Sequence, residues 1–583
     1  LRSVFLKIIF ILSISYLYAS SAINSPIKLT QANGIEFEAF VRGDEWNNWH
    51  ETIDGYSIAK NNQNIWKYAL DIEGTQFKLS NREAHLLPVG ISVEKHLQPI
   101  PNFLPPNHAE ENPIELSNMS REEFEIPLVL IDYPNMEHSY PPSNFDDLMN
   151  QEGYAGSQGA TGSFRDLYIE NSYGQFMPNS TIIGWFTAAE DYQNYGDGAP
   201  NGYSMVKQMI GQAIDEAEAQ GVDWSVYDND GDGYVDALNV LHAGQGAEEG
   251  NSSYVWSHKW NLGNEARFYD GVVIDNYTIN PEKQAAGNGA NPGMVHIGVL
   301  SHEFGHALGL PDLYDTDYTS SGIGTWGLMS GGSWGGNGSS PWYPAHFCAW
   351  AKYTLGWVTP IVVTEGTLTV DLPNVEENPI IYRMNGTGSG NEYFLFENRQ
   401  AIGFDQTIKN TGLLIWHIDD AVGSNSNDWH RRVDLEQADG LFQLNYGSNS
   451  GDVADVWPGT LNKTYFRFDT TPNSTYYNES PSGISVVNIQ ENEENVDQDS
   501  DSAQEETPQE WAQGLILSKL AENVENGLSE QIISSIVYIY ARQKFSDEEQ
   551  IAVWKESKNI RSILNRLKRE SVLRFSSNRW HIA

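Results

Sequence analysis

The stretch Ser301-His302-Glu303-Phe304-Gly305-His306-Ala307-Leu308-Gly309-Leu310-Pro311-Asp312 holds residue types that can bind a transition metal and move a proton. Two histidines four apart on an α-helix differ by about 40° around its axis, so both imidazoles point to one side. Neutral imidazole nitrogens suit Zn2+, and one helical turn sets them at a workable bite. Glu303 then sits beside the metal, where it can take a proton from a water whose pKa zinc lowers to roughly 7. Gly309 lets the backbone leave the helix abruptly with positive φ, and the chain can return Asp312 as a third ligand with one position left open. The chemistry this predicts is metal-assisted amide hydrolysis with no acyl-enzyme, so no Ser or Cys nucleophile is needed. The bland alternative is a surface helix with solvated histidines. Gly309 and Asp312 at the next fixed positions argue against it.

A second stretch, Gly324-Thr325-Trp326-Gly327-Leu328-Met329-Ser330-Gly331-Gly332, follows the metal helix by about twenty residues. In metzincin peptidases a tight turn bearing a Met lies under the zinc as an apolar floor, and Met329 is placed to be that residue. A third, Asp228-Asn229-Asp230-Gly231-Asp232-Gly233-Tyr234-Val235-Asp236, offers oxygen ligands for Ca2+ from Asp228, Asp230, Asp232 and Asp236 and from the Tyr234 backbone carbonyl. Gly233 falls where such a loop needs its sharp turn, but Asn239 stands where an EF-hand has its bidentate Glu, so a structural Ca2+ is expected rather than a switch. His296, His346 and His417 are expected in structural roles, and Cys348 as a small buried hydrophobe.

The zinc motif with Leu310-Pro311-Asp312-Leu313-Tyr314-Asp315 resembles the immune inhibitor A family of secreted bacterial metallopeptidases. So do Leu328 to Trp334, Pro344-Ala345-His346 with Trp350 and Leu355-Gly356-Trp357, and Asn171-Ser172-Tyr173-Gly174. Glu392 to Leu395, Glu397-Asn398-Arg399 and Leu414 to Asp419 complete the likeness, which runs over roughly residues 30–490. The resemblance implies an exported zymogen with an N-terminal pro-domain, a metzincin-like catalytic domain and a β-rich C-terminal module. Many metzincins carry His at the third ligand position. Here Asp312 stands there, with Asp315 close enough to compete for the role.

The elements that must position these residues read as follows. Residues 1–22 have the charged, apolar, small-residue order of a secretory signal, with Arg2 and Lys7 before Ile8–Tyr18. Short alternating strands with the Asp54-Gly55 hairpin signal fill a pro-domain at 23–96. Prolines 99, 101, 105, 106 and 113 mark a linker, 97–124, suited to maturation cleavage. A buried strand opens at Ile126, and the zinc peptidase domain spans 125–360, with helices expected over Ser163–Asn171, Met205–Ala219, Val295–Leu310 and Pro344–Leu355. Residues 361–489 read as a β-sandwich-like module, 490–510 as an acidic linker and 511–583 as a helical appendage of unknown role. That appendage carries 11 basic and 8 acidic groups, against the acidity of the rest. The fold class expected is α+β.

Composition excludes several functions. The 583 residues carry 34 Lys+Arg against 78 Asp+Glu, a net charge of −44, so neither nucleic acid nor an anionic membrane is the expected partner. No stable membrane insertion is expected once the signal is removed, and one Cys cannot form an internal disulfide. The reading is a secreted zinc endopeptidase acting on extracellular protein or peptide substrates, with catalytic Zn2+ and structural Ca2+. The alternatives are a non-catalytic adhesin or binding protein that keeps metals for structure, and a zinc hydrolase of small amides or esters. With no Cys before Cys348, latency must come from steric cover or from an O or N ligand within 27–96, Asp44 and His50 being candidates.

Overall fold

The computed structural model describes residues 22–23, 26–44, 47–100, 123–156, 159–284, 293–364, 368–388 and 390–491, and a strand pair at 573–576 and 579–582. The expected leader, maturation linker and acidic linker lie almost wholly outside these residues, as does most of the C-terminal appendage. Apart from 368–371, the described residues up to Glu491 form one compact α+β unit.

The N-terminal part is a six-stranded antiparallel sheet in sequence order, β1 (Ile27–Thr30), β2 (Glu36–Gly43), β3 (Asn48–Thr52), β4 (Ser57–Lys60), β5 (Trp66–Glu73) and β6 (Gln76–Glu83). Asp54-Gly55 turns β3 into β4, with Gly55 at φ 82°. Inward residues of this sheet, among them Ile27, Leu29, Ala39 and Val41, form one apolar cluster with Ala247, Trp256, Val299 and Trp334 of the later chain.

The central sheet begins with β7 (Phe124–Asp132), followed by α1 (Pro142–Asn150), α2 (Phe164–Ser172), β8 (Pro178–Thr187) and α3 (Gly202–Ala219). Then come β9 (Leu238–Gln245), β10 (His258–Asn261), the small ladder β11 (Arg267–Tyr269) and β12 (Val272–Ile274), β13 (Asn276–Gln284) and β14 (Gly293–Met294). The order is β10-β13-β9-β7-β8, with β14 also paired to β13; β13, β9, β7 and β8 run parallel, and β10 and β14 run antiparallel to β13. The unbroken apolar run of β7 is explained by burial on both faces. Phe124, Ile126, Leu128 and Leu130 face the core under α1, α2 and the metal helix, and Val129 and Ile131 face the core under α3. Ser163 caps α2 in a capping box with Asp166, so α2 starts where its sequence places the cap.

The metal helix α4 (Ile297–Ala307) is buried on every side. The next helix, α5, covers only Ala349–Thr354, five residues later than the expected start at Pro344. The backbone N–H groups that would begin a longer helix are bound elsewhere: Ala345 donates to Gly332 O, His346 to Asp405 Oδ1 and Phe347 to Asn171 Oδ1.

Residues 361–489 contribute the five-stranded sheet β15 (Ile361–Val363), β16 (Tyr382–Met384), β17 (Glu392–Arg399), β18 (Gly412–Asp419) and β19 (Val433–Leu435), and the ladder β20 (Tyr465–Phe466) and β21 (Val486–Val487). Leu395, Leu414, Trp416 and Ile418 join the same core as Phe304 and Met329, so this part shares its interior with the metal helix. The buried Arg399 binds Asp405 and Glu397 and donates to Trp326 O in the turn beneath that helix. No described helix is long and apolar enough to cross a membrane. In the second unit, the described part of the expected helical appendage is an antiparallel strand pair, β22 (Leu573–Ser576) and β23 (Arg579–Ile582). The period-2 alternation of Leu573 with Phe575 and of Trp580 with Ile582 fits that strand pair.

Candidate metal centre

Helix α4 ends in a two-bond glycine cap. Gly309, at φ 89°, donates to His306 O, and Leu310 donates to Gly305 O. This turn returns the chain beneath the helix, and the buried Asp312 arrives beside His302 and His306.

The three donor atoms form a nearly equilateral triangle. His302 Nε2 to His306 Nε2 is 3.1 Å, His302 Nε2 to Asp312 Oδ1 is 3.2 Å, and His306 Nε2 to Asp312 Oδ1 is 3.3 Å. A tetrahedral ion with bonds of about 2.0–2.1 Å needs donor pairs about 3.3 Å apart, so the donor set fits Zn2+. The opposite ring nitrogens are fixed as donors: His302 Nδ1–H points to Leu328 O and His306 Nδ1–H to Leu310 O, both at 2.8 Å. Each carbonyl sets the tautomer and leaves the Nε2 lone pair for a metal.

Burial disfavours charge on all three groups, yet their mutual attraction dominates at two of them. Burial and then the two imidazoles act on Asp312, with the net result that its carboxyl lies below the ordinary range. Burial lowers His302, but Asp312 and Glu303 outweigh it and push the imidazole up to about 9. His306 is lowered, chiefly by burial. The proton drawn onto this cluster stands where a divalent cation would compete for the same electron pairs.

Glu303 is fully buried next to the cluster, with no side-chain hydrogen-bond partner among the described residues and only the Lys259 backbone near enough to favour its carboxylate. Burial pushes its carboxyl up to about 8, against the pull of His302.

Met329 lies under the helix, in a buried turn whose Leu328 carbonyl holds His302 and whose own carbonyl accepts from Leu313 N at 2.7 Å. Two glycines permit this approach. A Cβ on Gly305 would stand 2.5 Å from Met329 Sδ, and one on Gly298 would stand 1.9 Å from Ser333 O. The Ser333 contact is with backbone and cannot be relieved by a rotamer. Gly298→Ala is therefore expected to cost about 1–3 kcal/mol, read as a lower denaturant midpoint, whereas a surface glycine such as Gly271 should tolerate its size better.

Asp315 does not join the triangle. Its Oδ2 accepts from Ser320 N, Ser320 Oγ and Thr319 Oγ1, and it lies near Asp317 and Asp428. His346 bonds Glu170 and Lys352, His417 bonds Glu392 and Glu436, and the His296 ring packs on Trp342. Cys348 is buried at the N-cap of α5 rather than within the helix. Asp44 and His50 are not part of the triangle: Asp44 Oδ1 accepts from Asn47 N, and His50 packs its ring on Trp66 at 4.8 Å.

In the acidic loop, Asp228, Asp230 and Asp232 converge, but Asp236 turns away, its Oδ2 accepting from Asn229 N and Nδ2. Tyr234 is partly exposed, and its N–H donates to Asp232 Oδ1. Sequence reasoning missed the Leu328 and Leu310 carbonyls that orient the imidazoles, because a backbone acceptor carries no residue-type signal.

Residues 128–358 match the family model described as immune inhibitor A peptidase M6, catalytic domain. The chain is 31% identical to the pre-pro-metalloprotease PrtV of Vibrio cholerae serotype O1 (strain M66-2), over 39% of this chain and 29% of that protein. It is 30% identical to immune inhibitor A of Bacillus thuringiensis subsp. alesti, over 37% of each. The chain thus spans about a third of the length of these curated relatives.

Proposed function

Since residues 128–358 belong to the immune inhibitor A peptidase family, we propose that this chain is a secreted zinc endopeptidase, made as a zymogen, that hydrolyses extracellular proteins. The observation that carries the reading is the pairing of the His302–His306–Asp312 triangle with a fully buried Glu303 that has no side-chain hydrogen-bond partner among the described residues. Burying a carboxyl with so little to compensate it is costly, and a purely structural metal site has no use for it. This favours the enzyme over a metal-stabilised adhesin.

When bound, zinc supplies Lewis acidity that polarises the scissile carbonyl and acidifies the attacking water. The chain's own residues do the rest. His302, His306 and Asp312 hold the ion, and the Leu328 and Leu310 carbonyls keep both imidazoles in the ligating tautomer. Glu303 takes the proton of the attacking water on a carboxylate oxygen and returns it to the leaving amine nitrogen. Met329 and its turn form the apolar floor, a metzincin-like arrangement.

Export is supported by the signal-like order of residues 1–22 and by the pre-pro name of the Vibrio relative. Residues 23–96 are read as a pro-domain, 97–124 as its cleavable linker, 125–360 as the catalytic domain and 361–489 as a β-rich module. Latency is supported by the apolar cluster that joins the N-terminal sheet to Val299 of the metal helix, and by the bonds Ile23 N to Glu248 O and Asn48 Nδ2 to Asp197 Oδ2. The uncut chain should therefore hydrolyse a denatured protein substrate slowly, and cleavage between Gln98 and Ser120 should raise the rate sharply, with chelation abolishing it. Mercurials should not activate the chain, because no cysteine precedes Cys348. Full activity in an uncut chain that begins near Ile23 would refute the latency reading.

Structural Ca2+ at Asp228, Asp230, Asp232, Asp236 and the Tyr234 carbonyl remains part of the proposal, with Asp236 required to swing from Asn229. Calorimetric titration with Ca2+ tests it, and heat identical to an Asp230→Asn chain would dismiss it.

A further inference from the structure

The ring of Trp49, on β3 of the N-terminal sheet, lies edge-on against Tyr318, with centroids 5.7 Å apart and planes at 82°. Tyr318 stacks on Tyr314 at 5.9 Å, and Tyr314 stacks on the ligand His302 at 6.4 Å. An aromatic row thus leads from the metal triangle to a ring supplied by the covering sheet.

Both sides of the Trp49–Tyr318 contact are held in place. Trp49 is 5% exposed and donates its indole N–H to Glu51 Oε1, and Glu51 is also bound by Arg42 and His96. Tyr318 adopts φ 58°, a left-handed conformation that a bulky side chain keeps only when its surroundings over-determine it. Here the surroundings are the turn that follows Asp312. Tyr318 N donates to Asp315 O, and the Asp315 carboxylate gathers Asp317 N, Ser320 N and Ser320 Oγ. The backbone cost is met at a ring separated from the ligand His302 by Tyr314 alone and facing a part of the chain read as removable.

We propose that Tyr318 is the wall of a substrate subsite selective for aromatic side chains, which Trp49 fills in the uncut chain as a stand-in for a substrate residue. The proposal rests on the peptidase and zymogen reading above. The occupant is a Phe, Tyr or Trp side chain of the polypeptide being cleaved, because the edge-to-face contact uses the ring quadrupole and an aliphatic side chain cannot reproduce it. Tyr318 lies no more than about 12 Å from His302, so the selected residue falls within three or four positions of the scissile bond on an extended peptide.

The test uses the full chain cut between Gln98 and Ser120 and a peptide library made by digesting a proteome, with the products mapped by mass spectrometry. Aromatic residues are expected to be enriched at one fixed position within four residues of the cut. For a peptide pair differing only by Phe or Ala there, the kcat/KM ratio should be about tenfold, carried by KM. Tyr318→Ala and Tyr318→Leu should collapse this ratio, and Tyr318→Phe should keep it. Trp49→Ala in the uncut chain leaves Tyr318 in place and should raise residual cleavage of the aromatic peptide several-fold. Chelator-sensitive cleavage without aromatic enrichment, or with enrichment that survives Tyr318→Leu, overturns the subsite and leaves the peptidase reading standing. An unchanged rate in the uncut Trp49→Ala chain overturns the stand-in role. Absence of any chelator-sensitive cleavage overturns the peptidase reading and the subsite with it.

Discussion

Replacing Glu303 by Gln is expected to lower the kcat of peptide hydrolysis about a thousandfold while zinc content and fold stay intact. The two side chains have nearly the same shape, and Glu303 has no side-chain hydrogen-bond partner among the described residues to lose. The amide cannot accept the proton of the attacking water, so the loss falls on the chemical step and not on substrate binding. Removing a buried carboxyl also lifts a desolvation cost, so the melting temperature should not fall. The check is kcat measured beside bound zinc per chain and thermal unfolding on the same preparation. Retained hydrolysis with intact zinc would remove Glu303 from the role of general base.

The second large effect concerns the metal itself. His302→Ala, His306→Ala and Asp312→Ala each take one corner from a triangle with sides of 3.1, 3.2 and 3.3 Å. Two protein donors hold zinc far less well than three, so each variant should weaken binding by more than about a hundredfold, the upper range for the loss of a mere supporting contact. Asp315→Ala should keep the zinc, because its carboxylate serves Thr319 and Ser320 and closes the following turn. Bound zinc after dialysis against a competing chelator separates the cases. Zinc lost from Asp315→Ala and kept by Asp312→Ala would reverse the third-ligand assignment.

How much of this was legible in the sequence differs by residue. The clustering of His302 and His306 follows from helix periodicity alone, and the return of Asp312 from a glycine whose φ is 89°. Strand β7 was visible as an apolar run, but its double-sided burial needed the partners on both faces. Helix α1 went unread, as its short sequence Pro142–Asn150 has few apolar positions to show a period. The start of α5 was misplaced because the N–H groups of Ala345, His346 and Phe347 are claimed by acceptors distant in sequence or on a carbonyl of the Met329 turn. The same holds for Arg399, whose buried contacts with Asp405 and Trp326 O tie residues 361–489 to the floor of the metal site. The Trp49–Tyr318 contact joins residues far apart in the chain, and no local pattern announces it. Local geometry was readable where the chain folds on itself within a turn or two. Long-range polar and aromatic contacts were not.

The most direct measurement is a zinc titration of the chelated, linker-cut chain, following bound metal and hydrolysis of a denatured protein together. The account predicts negligible hydrolysis without metal and a rise in step with zinc that saturates as the His302–His306–Asp312 site fills, with Glu303→Gln taking up the same zinc and gaining almost no activity. Hydrolysis that is equally fast in the metal-free and reloaded chains would contradict it.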